Sequence, residues 1–127
     1  MDDSSSFPES VELGCMAPCI GVSNIETSVA FYASMLGMRK TFENGNPVGF
    51  VIMKKDRAEL HLSLCRVMKP QIHNVAHLTV SDANALFEHL SKSRVRIIKG
   101  LRDQQYGLRD FVISDPDGNR IDIGQPL

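Results

Sequence analysis

Four polar side chains of the kinds that bind metals or transfer protons stand inside short strand-like runs of this chain. Glu59 and His61 lie in AELHLSLC, His77 lies in VAHLTV and Asp122 lies in RIDIG. Apolar residues alternate with them, which is typical of a strand with one face on a core. Imidazoles and carboxylates are common metal ligands and general bases. These residues therefore mark polar strand faces that could bind a ligand, hold a metal ion or transfer a proton.

The elements that carry these side chains form an internal repeat. Val22-Ser23-Asn24 and Val80-Ser81-Asp82 each end a predicted strand and cap a predicted helix, at an offset of 80 minus 22, or 58. Asn and Asp are favoured N-caps because their side chains accept from an unpaired amide of the first helical turn. Each half reads β-α-β-β-β, with modules at about residues 16–67 and 72–125. The sequence predicts an α+β fold of two βαβββ modules in tandem, forming cupped mixed sheets with helices outside.

A strongly marked hairpin ends the second module. Two strand-like runs flank Asp115-Pro116-Asp117-Gly118-Asn119, which is dense in turn-forming residues. We expect both aspartates to bond the backbone of the turn, and the glycine to supply a positive φ. A loop is predicted before this hairpin, over Gly100 to Gln105.

Strand parity separates two faces in each module. The apolar parity comprises Ile20, Val22, Leu60, Leu62, Leu64, Ala76, Leu78, Val80, Ile121 and Ile123. The helices must cover that side. The opposite parity, which includes Cys19, Glu59, His61, Ser63, His77 and Asp122, is too polar for a core. Antiparallel sheets often leave such a face in solvent, but two similar sheets with helices outside leave their polar faces around a cleft.

The composition and net charge limit the kinds of partner that this protein is expected to bind. The chain has 127 residues and a formal net charge of -1, and it carries no cluster of Lys and Arg, so we expect no nucleic-acid partner. No apolar run is long enough to span a membrane, and the opening MDDSSS is unlike a signal peptide. The three cysteines lack zinc-like spacing, which favours reduced thiols and a cytoplasmic location.

The repeat also bears on domain organisation. We expect a flexible leader over residues 1–14 and a single domain over 15–127. Each module has only about 55 residues and would bury too little apolar surface alone. The two sheets should therefore close on one another or on a second chain, which makes a homodimer an expected state.

The repeated module, the stretch VSNIETSVAFYASMLGM and the stretch YGLRDFVISDPDGNRIDI resemble the vicinal oxygen chelate superfamily. That group includes glyoxalase I, extradiol dioxygenases, fosfomycin resistance enzymes and bleomycin resistance proteins. The likeness covers about residues 16–125 and is nearest in pattern to the bleomycin-resistance-like branch. Resemblance to that branch implies a protein that sequesters a small molecule, such as an antibiotic, in a cleft between modules, without catalysis and without a cofactor.

Resemblance to the metal-dependent members implies four ligand positions, one near the start of the first strand and one in the last strand of each module. Ala17 and Val75 hold the first-strand positions and cannot bind a metal, whereas His61 and Asp122 hold the last-strand positions. His77 lies on the same face as Val75, and a local bulge could bring it in. The alternative function is therefore a Zn-, Mn-, Fe- or Ni-dependent lyase, dioxygenase or fosfomycin-type transferase using His61, His77 and Asp122.

The candidate ligand-binding residues are Cys19, His61, Ser63, His77, Arg109 and Asp122. Glu59 is the candidate general base if the protein is an enzyme. Arg109 follows Tyr106-Gly107 in a run similar to that of bleomycin resistance proteins, and its planar guanidinium could clamp an anion, although a surface salt bridge is the commoner fate of an arginine. A third possibility is a pure interaction module whose cleft holds a partner's segment, such as the leader around Phe7.

Overall fold

The computed structural model describes residues 6–69 and 71–127, so the predicted flexible leader lies partly outside the described residues. Residues 6–14 of the predicted leader are described, and they precede the first strand, which begins at Cys19. Neither helix of the described residues is long and apolar enough to cross a membrane.

Module 1 builds a four-stranded sheet, sheet A, from a strand, a helix and three further strands. Its elements are β1 (Cys19–Val22), α1 (Ile25–Leu36), β2 (Arg39–Gly45), β3 (Val48–Lys55) and β4 (Ala58–Leu64). The strand order is β1-β4-β3-β2, in which β1 runs parallel to β4 and the other neighbours are antiparallel. The parallel pair requires a crossover, and α1 supplies it.

Module 2 repeats this topology in sheet B. Its elements are β5 (Asn74–Thr79), α2 (Ala83–Lys92), β6 (Arg96–Asp103), β7 (Leu108–Ser114) and β8 (Arg120–Pro126), in the strand order β5-β8-β7-β6. The predicted α+β fold of two βαβββ modules is confirmed. The predicted loop over Gly100 to Gln105 is wrong at its start, because β6 continues to Asp103. Of the two register irregularities along this edge strand, the one between Lys99 and Arg102 spans Gly100.

The predicted N-caps of both helices are confirmed. Asn24 accepts a hydrogen bond from the amide of Thr27, and Asp82 accepts one from the amide of Ala85. Gly37 ends α1 in the left-handed region, with φ at 67°. A residue without a Cβ adopts this conformation at low cost, which is why glycine commonly ends helices.

The buried parity of the strands forms two apolar clusters under the helices. Cluster 1 contains Ile20, Val22, Tyr32, Met38, Val51, Met53, Leu60 and Leu62. Cluster 2 contains Ala83, Leu90, Phe111, Ile113, Ile121 and Ile123. Phe31, Leu36 and Val75 pack against both clusters. The modules therefore share packing within one chain, with α1 contributing to both cores.

The turn between β7 and β8 joins module 2 to module 1. The hydroxyl of Tyr32 donates to Oδ2 of Asp115 at 2.9 Å in a buried contact, and the side-chain amide of Asn119 donates to the carbonyl of Gly21 at 2.9 Å. Burial and the neighbouring Asp115 carboxylate raise the pKa of Tyr32 well above its ordinary value. We call these contacts the junction latch.

Asp115 and Asp117 also have the local roles expected from the turn sequence. Oδ1 of Asp115 accepts from the amides of Asp117 and Asn119, both at 2.9 Å. Gly118 has a φ of 84°. The carboxylate of Asp117 reaches across to module 1, where the amide of Ser23 donates to it at 3.0 Å. The same turn therefore fixes its own backbone and the relative position of the modules.

Candidate functional site

Each sheet has a second face, opposite to its apolar cluster. In sheet A this surface, open face A, carries Cys19, Gly21, Arg39, Phe42, Asn44, Phe50, Ile52, Lys54, Glu59, His61 and Ser63, as the strand register shows. In sheet B the corresponding open face B carries Asn74, His77, Thr79, Arg96, Lys99, Arg102, Asp110, Val112, Ser114, Arg120, Asp122 and Gly124. Five of the six candidate ligand-binding residues and the candidate base lie on these two faces.

On open face A, Glu59 holds the imidazole of His61. Nε2 of His61 lies 2.6 Å from Oε2 of Glu59, and Nζ of Lys54 lies 3.4 Å from the other carboxylate oxygen. The hydrogen bond from His61 and the charge of Lys54 lower the pKa of Glu59. A lowered pKa makes this carboxylate a weaker base than an ordinary glutamate, and it suits Glu59 to orienting the histidine.

Aromatic rings continue from His61 across open face A. The ring centroids of Phe50 and His61 are 5.5 Å apart at 82°, and those of Phe42 and Phe50 are 6.3 Å apart at 65°. Such edge-to-face contacts are favourable arrangements of aromatic pairs. Phe42 is 50% exposed although it stands in the middle of β2. Neither phenylalanine is among the site residues predicted from the sequence.

On open face B, Asp122 holds the imidazole of His77. Nδ1 of His77 lies 2.8 Å from Oδ2 of Asp122, and the two residues are directly opposite in the parallel pairing of β5 with β8. A register irregularity between Asn74 and Ala76 places Val75 as an extra residue in β5, where it packs against both clusters. A β-bulge is therefore present at Val75, two residues before His77.

Gly124 allows the close approach of His77 to the sheet. A Cβ at this position would lie 3.1 Å from Cε1 of His77 and 3.3 Å from the Cβ of Asp110. Both distances are tighter than ordinary van der Waals contact. Because Gly124 has no side chain, the imidazole of His77 can pack closely against β8.

Asp110 is a buried carboxylate that was not predicted from the sequence. It is 6% exposed, and it accepts from the hydroxyl of Tyr106 at 2.7 Å and from the side-chain amide of Gln104 at 3.0 Å. Donation to Asp110 raises the pKa of Tyr106. The alternation of side chains along β7 could have placed Asp110 on the open face, because it points to the face opposite to that of Phe111.

Arg109 lies on the other side of sheet B. It shares the parity of Phe111, and its guanidinium donates to Asp103 at 2.7 Å and to Oδ1 of Asn84 on α2 at 3.0 Å. The sequence left two roles open for Arg109, an anion clamp and a surface salt bridge, and the structure contains the salt bridge. Arg109 does not join the other candidate residues on open face B.

The candidate residues form two separate pairs, Glu59 with His61 and His77 with Asp122. Within residues 6–69 and 71–127, no hydrogen bond or ion pair links one pair to the other, and no three His, Cys, Asp or Glu residues are grouped so that they could hold a metal ion. Cys19 is a free, exposed thiol. A metal site of His61, His77 and Asp122 is therefore not assembled by the described part of one chain.

Two surface clefts lie away from these pairs. One, of about 320 Å³, lies between Phe31, Arg94 and the turn that includes Pro116. The other, of about 710 Å³, lies between the start of α1 and the β2–β3 hairpin. None of the candidate site residues lines either cleft, so neither was predicted from the sequence.

The tandem βαβββ modules, with helix-covered cores and polar open faces, define a two-module α+β scaffold. The sequence profile of the Glyoxalase/Bleomycin resistance protein/Dioxygenase superfamily matches residues 15–123. The chain belongs to this superfamily. The scaffold hosts several unrelated functions, so function depends on the site.

Solved structures share the fold at low sequence identity. A bleomycin resistance determinant encoded on the transposon Tn5 superposes with a TM-score of 0.77 at 18% identity, over 90% of this chain and 98% of that one. A bleomycin-binding protein complexed with bleomycin superposes with a TM-score of 0.76 at 18% identity, over 91% of this chain and 100% of that one. These likenesses establish the fold alone.

Curated relatives match a shorter stretch. An uncharacterized protein of Mycobacterium bovis is 37% identical over 51 residues, which are 40% of this chain and 34% of that protein. The matched part is thus about a third of the relative's length.

Proposed function

We propose that this protein binds a small molecule on its open faces and sequesters it without turning it over. The observation that carries the proposal is the composition of these faces. Each carries a histidine held by a carboxylate, and open face A adds a row of aromatic rings. Open face B is exposed along its edge strands β5 and β6, whereas Asp110, Val112 and Ser114 of the central strand β7 are buried. Binding sites for small molecules are commonly apolar surfaces with a few fixed polar groups.

The aromatic row provides the apolar part of the proposed site. Phe42 is 50% exposed, and Phe50 and Ile52 beside it are only half buried. Removing apolar surface from water is favourable by about 25 cal/mol per Å². A flat apolar ligand covering these side chains would gain that free energy and would contact ring edges already held in place.

The two histidines provide the fixed polar groups. His61 uses Nε2 toward Glu59, and His77 uses Nδ1 toward Asp122. Neither imidazole makes another hydrogen bond within the described residues, so Nδ1 of His61 and Nε2 of His77 are available to a ligand. A carboxylate partner fixes the orientation of each ring, which lowers the ordering cost of binding.

We further propose that two chains pair to complete the cleft. Within one chain the two histidine–carboxylate pairs are not in contact, and a homodimer would allow open face A of one chain to meet open face B of the other. A related fold holds bleomycin in a solved complex, which supports small-molecule binding by this scaffold. The free thiols support a reducing, cytoplasmic location.

A fluorescence titration with N-phenyl-1-naphthylamine, a neutral apolar probe, tests the proposed site. Phe42→Ala should weaken probe binding about three- to tenfold, because a phenyl contact of about 1 kcal/mol is lost. Phe7→Ala is the matched control, since Phe7 is 53% exposed but lies in the leader. Equal binding by Phe42→Ala and the native protein would contradict the proposal. Tighter binding after Phe7→Ala would instead indicate that the leader competes for the cleft.

One observation favours the alternative of a metal-dependent enzyme. A metal-bound histidine usually donates its second ring nitrogen to a carboxylate, and both His61 and His77 have such a carboxylate partner. Metal content measured on protein purified without chelator separates the two functions. A stoichiometric divalent ion that is lost in both His61→Ala and His77→Ala would overturn sequestration without catalysis.

A further inference from the structure

In module 2 the acidic side chains have hydrogen-bond or ion-pair partners, whereas most of the basic side chains form no ion pair. Over residues 71–127 every carboxylate has a hydrogen-bond or ion-pair partner, namely Asp82, Glu88, Asp103, Asp110, Asp115, Asp117 and Asp122. Of the seven Lys and Arg residues in this range, only Lys92 and Arg109 form ion pairs. The cations left without one are Arg94, Arg96, Lys99, Arg102 and Arg120.

Four of these five cations lie on open face B. Arg96, Lys99 and Arg102 pair opposite Ser114, Val112 and Asp110 of β7, and Arg120 pairs opposite Ser114 from the other side. Residues three apart in a regular strand point to opposite faces. The two register irregularities of β6 are what bring all three of its cations to the same face.

The two carboxylates of this face do not neutralise these cations. Asp110 is buried beneath Tyr106 and Gln104, and Asp122 is engaged by His77. On open face B the four cations outnumber the two carboxylates by two. Arg96 and Arg120 are separated by one intervening strand, or about 10 Å between backbones, so that their long side chains can reach one ligand.

We propose that the ligand of open face B is an organic anion, whose carboxylate, sulfonate or phosphate group is bound by Lys99 and Arg102 on the edge strand β6. His77 lies on the opposite edge strand β5, with β7 and β8 between, so its free ring nitrogen can contact only the far end of a ligand that crosses the sheet. The inference rests on the proposed function and names the chemical class of its ligand. Lys and Arg bind such groups by charge-assisted hydrogen bonds. Cations on an edge strand can also serve only to prevent pairing with another sheet, and that outcome is distinguished by the test.

The test compares two probes that differ by a single sulfonate. They are 8-anilino-1-naphthalenesulfonate, which is anionic, and N-phenyl-1-naphthylamine, which is neutral. We expect the anionic probe to bind about tenfold more tightly in low salt, and we expect this preference to shrink as salt screens the charges. Lys99→Gln and Arg102→Gln should each reduce binding of the anionic probe about three- to tenfold and leave binding of the neutral probe unchanged.

Arg57→Gln is the matched control. Arg57 lies in the exposed β3–β4 turn and forms no ion pair within the described residues, so its replacement removes the same charge away from open face B. Equal binding of the two probes would overturn the anion proposal, and so would a loss in Arg57→Gln as large as that in Lys99→Gln. The proposed function would stand in either case. If neither probe binds, the proposed function itself fails.

Discussion

Open face A and open face B occupy equivalent positions on the same strand order but present different chemistry. The row Phe42, Ile52, His61 and Cys19 of sheet A corresponds to the row Lys99, Val112, Asp122 and His77 of sheet B. The core-facing residues of the central strands are apolar in both sheets, namely Val51, Met53, Leu60 and Leu62 in sheet A and Phe111, Ile113, Ile121 and Ile123 in sheet B. The comparison shows that packing restricts one parity of the repeat, whereas the other parity is free to diverge into an aromatic surface and a cationic one.

The hairpin turns of the two modules differ in the same way. The turn between β7 and β8 carries the junction latch, with Asp115 accepting from Tyr32 of module 1. The turn between β3 and β4 contains Asp56, which is exposed and has only a 3.6 Å ion pair with its neighbour Lys55. One hairpin therefore holds the modules together, and the other is free of that role.

The largest expected effect comes from the latch. Asp115→Asn places an amide against the donors of Tyr32 and Asn119, and an unsatisfied buried group of this kind should lower the free energy of unfolding by about 3 kcal/mol. Asp56→Asn, the matched change in the other turn, should lower it by no more than about 0.5 kcal/mol. Urea unfolding at neutral pH measures both. Equal effects of the two substitutions would show that the latch does not stabilise the fold.

A smaller effect is expected from the glycine under His77. Gly124→Ala introduces a Cβ about 3.1 Å from that imidazole, and such overpacking should lower the free energy of unfolding by about 1 to 2 kcal/mol. Gly49→Ala in sheet A is the control, because the nearest atom to its Cβ would be 4.0 Å away. This change should be neutral or stabilising by about 0.5 kcal/mol. Thermal unfolding measures both variants. A larger loss of stability in Gly49→Ala than in Gly124→Ala would contradict this prediction.

The smallest effect concerns Glu59 and pH. Because the folded-state pKa of Glu59 is lowered by His61 and Lys54, its contribution to stability is present above the unfolded pKa of about 4.3 and is lost as pH falls through the folded value. Glu59→Gln removes this contribution. The melting temperatures of native protein and variant should therefore converge as the pH is lowered from neutral into the acidic range below about 4.3. A constant difference over that range would contradict the assignment of the pKa shift.

Much of the fold was predictable because local signals agreed. Asn24 and Asp82 each cap a helix, and alternation in β4 and β8 separates a buried face from an open one. The junction latch was not predictable, because Tyr32 and Asp115 are 83 residues apart and no local pattern links a helix tyrosine to a distant turn.

The candidate site was predictable only where the strands are regular. Parity put His61 and Asp122 on open faces, but Phe42 was missed because the register between β2 and β3 shifts between Lys40 and Phe42. The cations of β6 were missed for a similar reason, since Lys99 reaches open face B through bulges. Bulges arise from the pairing of two strands, so one strand's alternation does not reveal them.

The four histidines test the central claim most directly, because they report separately on different surfaces. His61 and His77 lie on open faces A and B, whereas His73 lies before β5 and His89 contacts the carbonyl of Ser34 from α2. Proton NMR of the imidazole Cε1–H signals during titration with 8-anilino-1-naphthalenesulfonate should shift the signals of His61 and His77 and leave those of His73 and His89 in place. Shifts confined to His73 or His89 would contradict binding on the open faces.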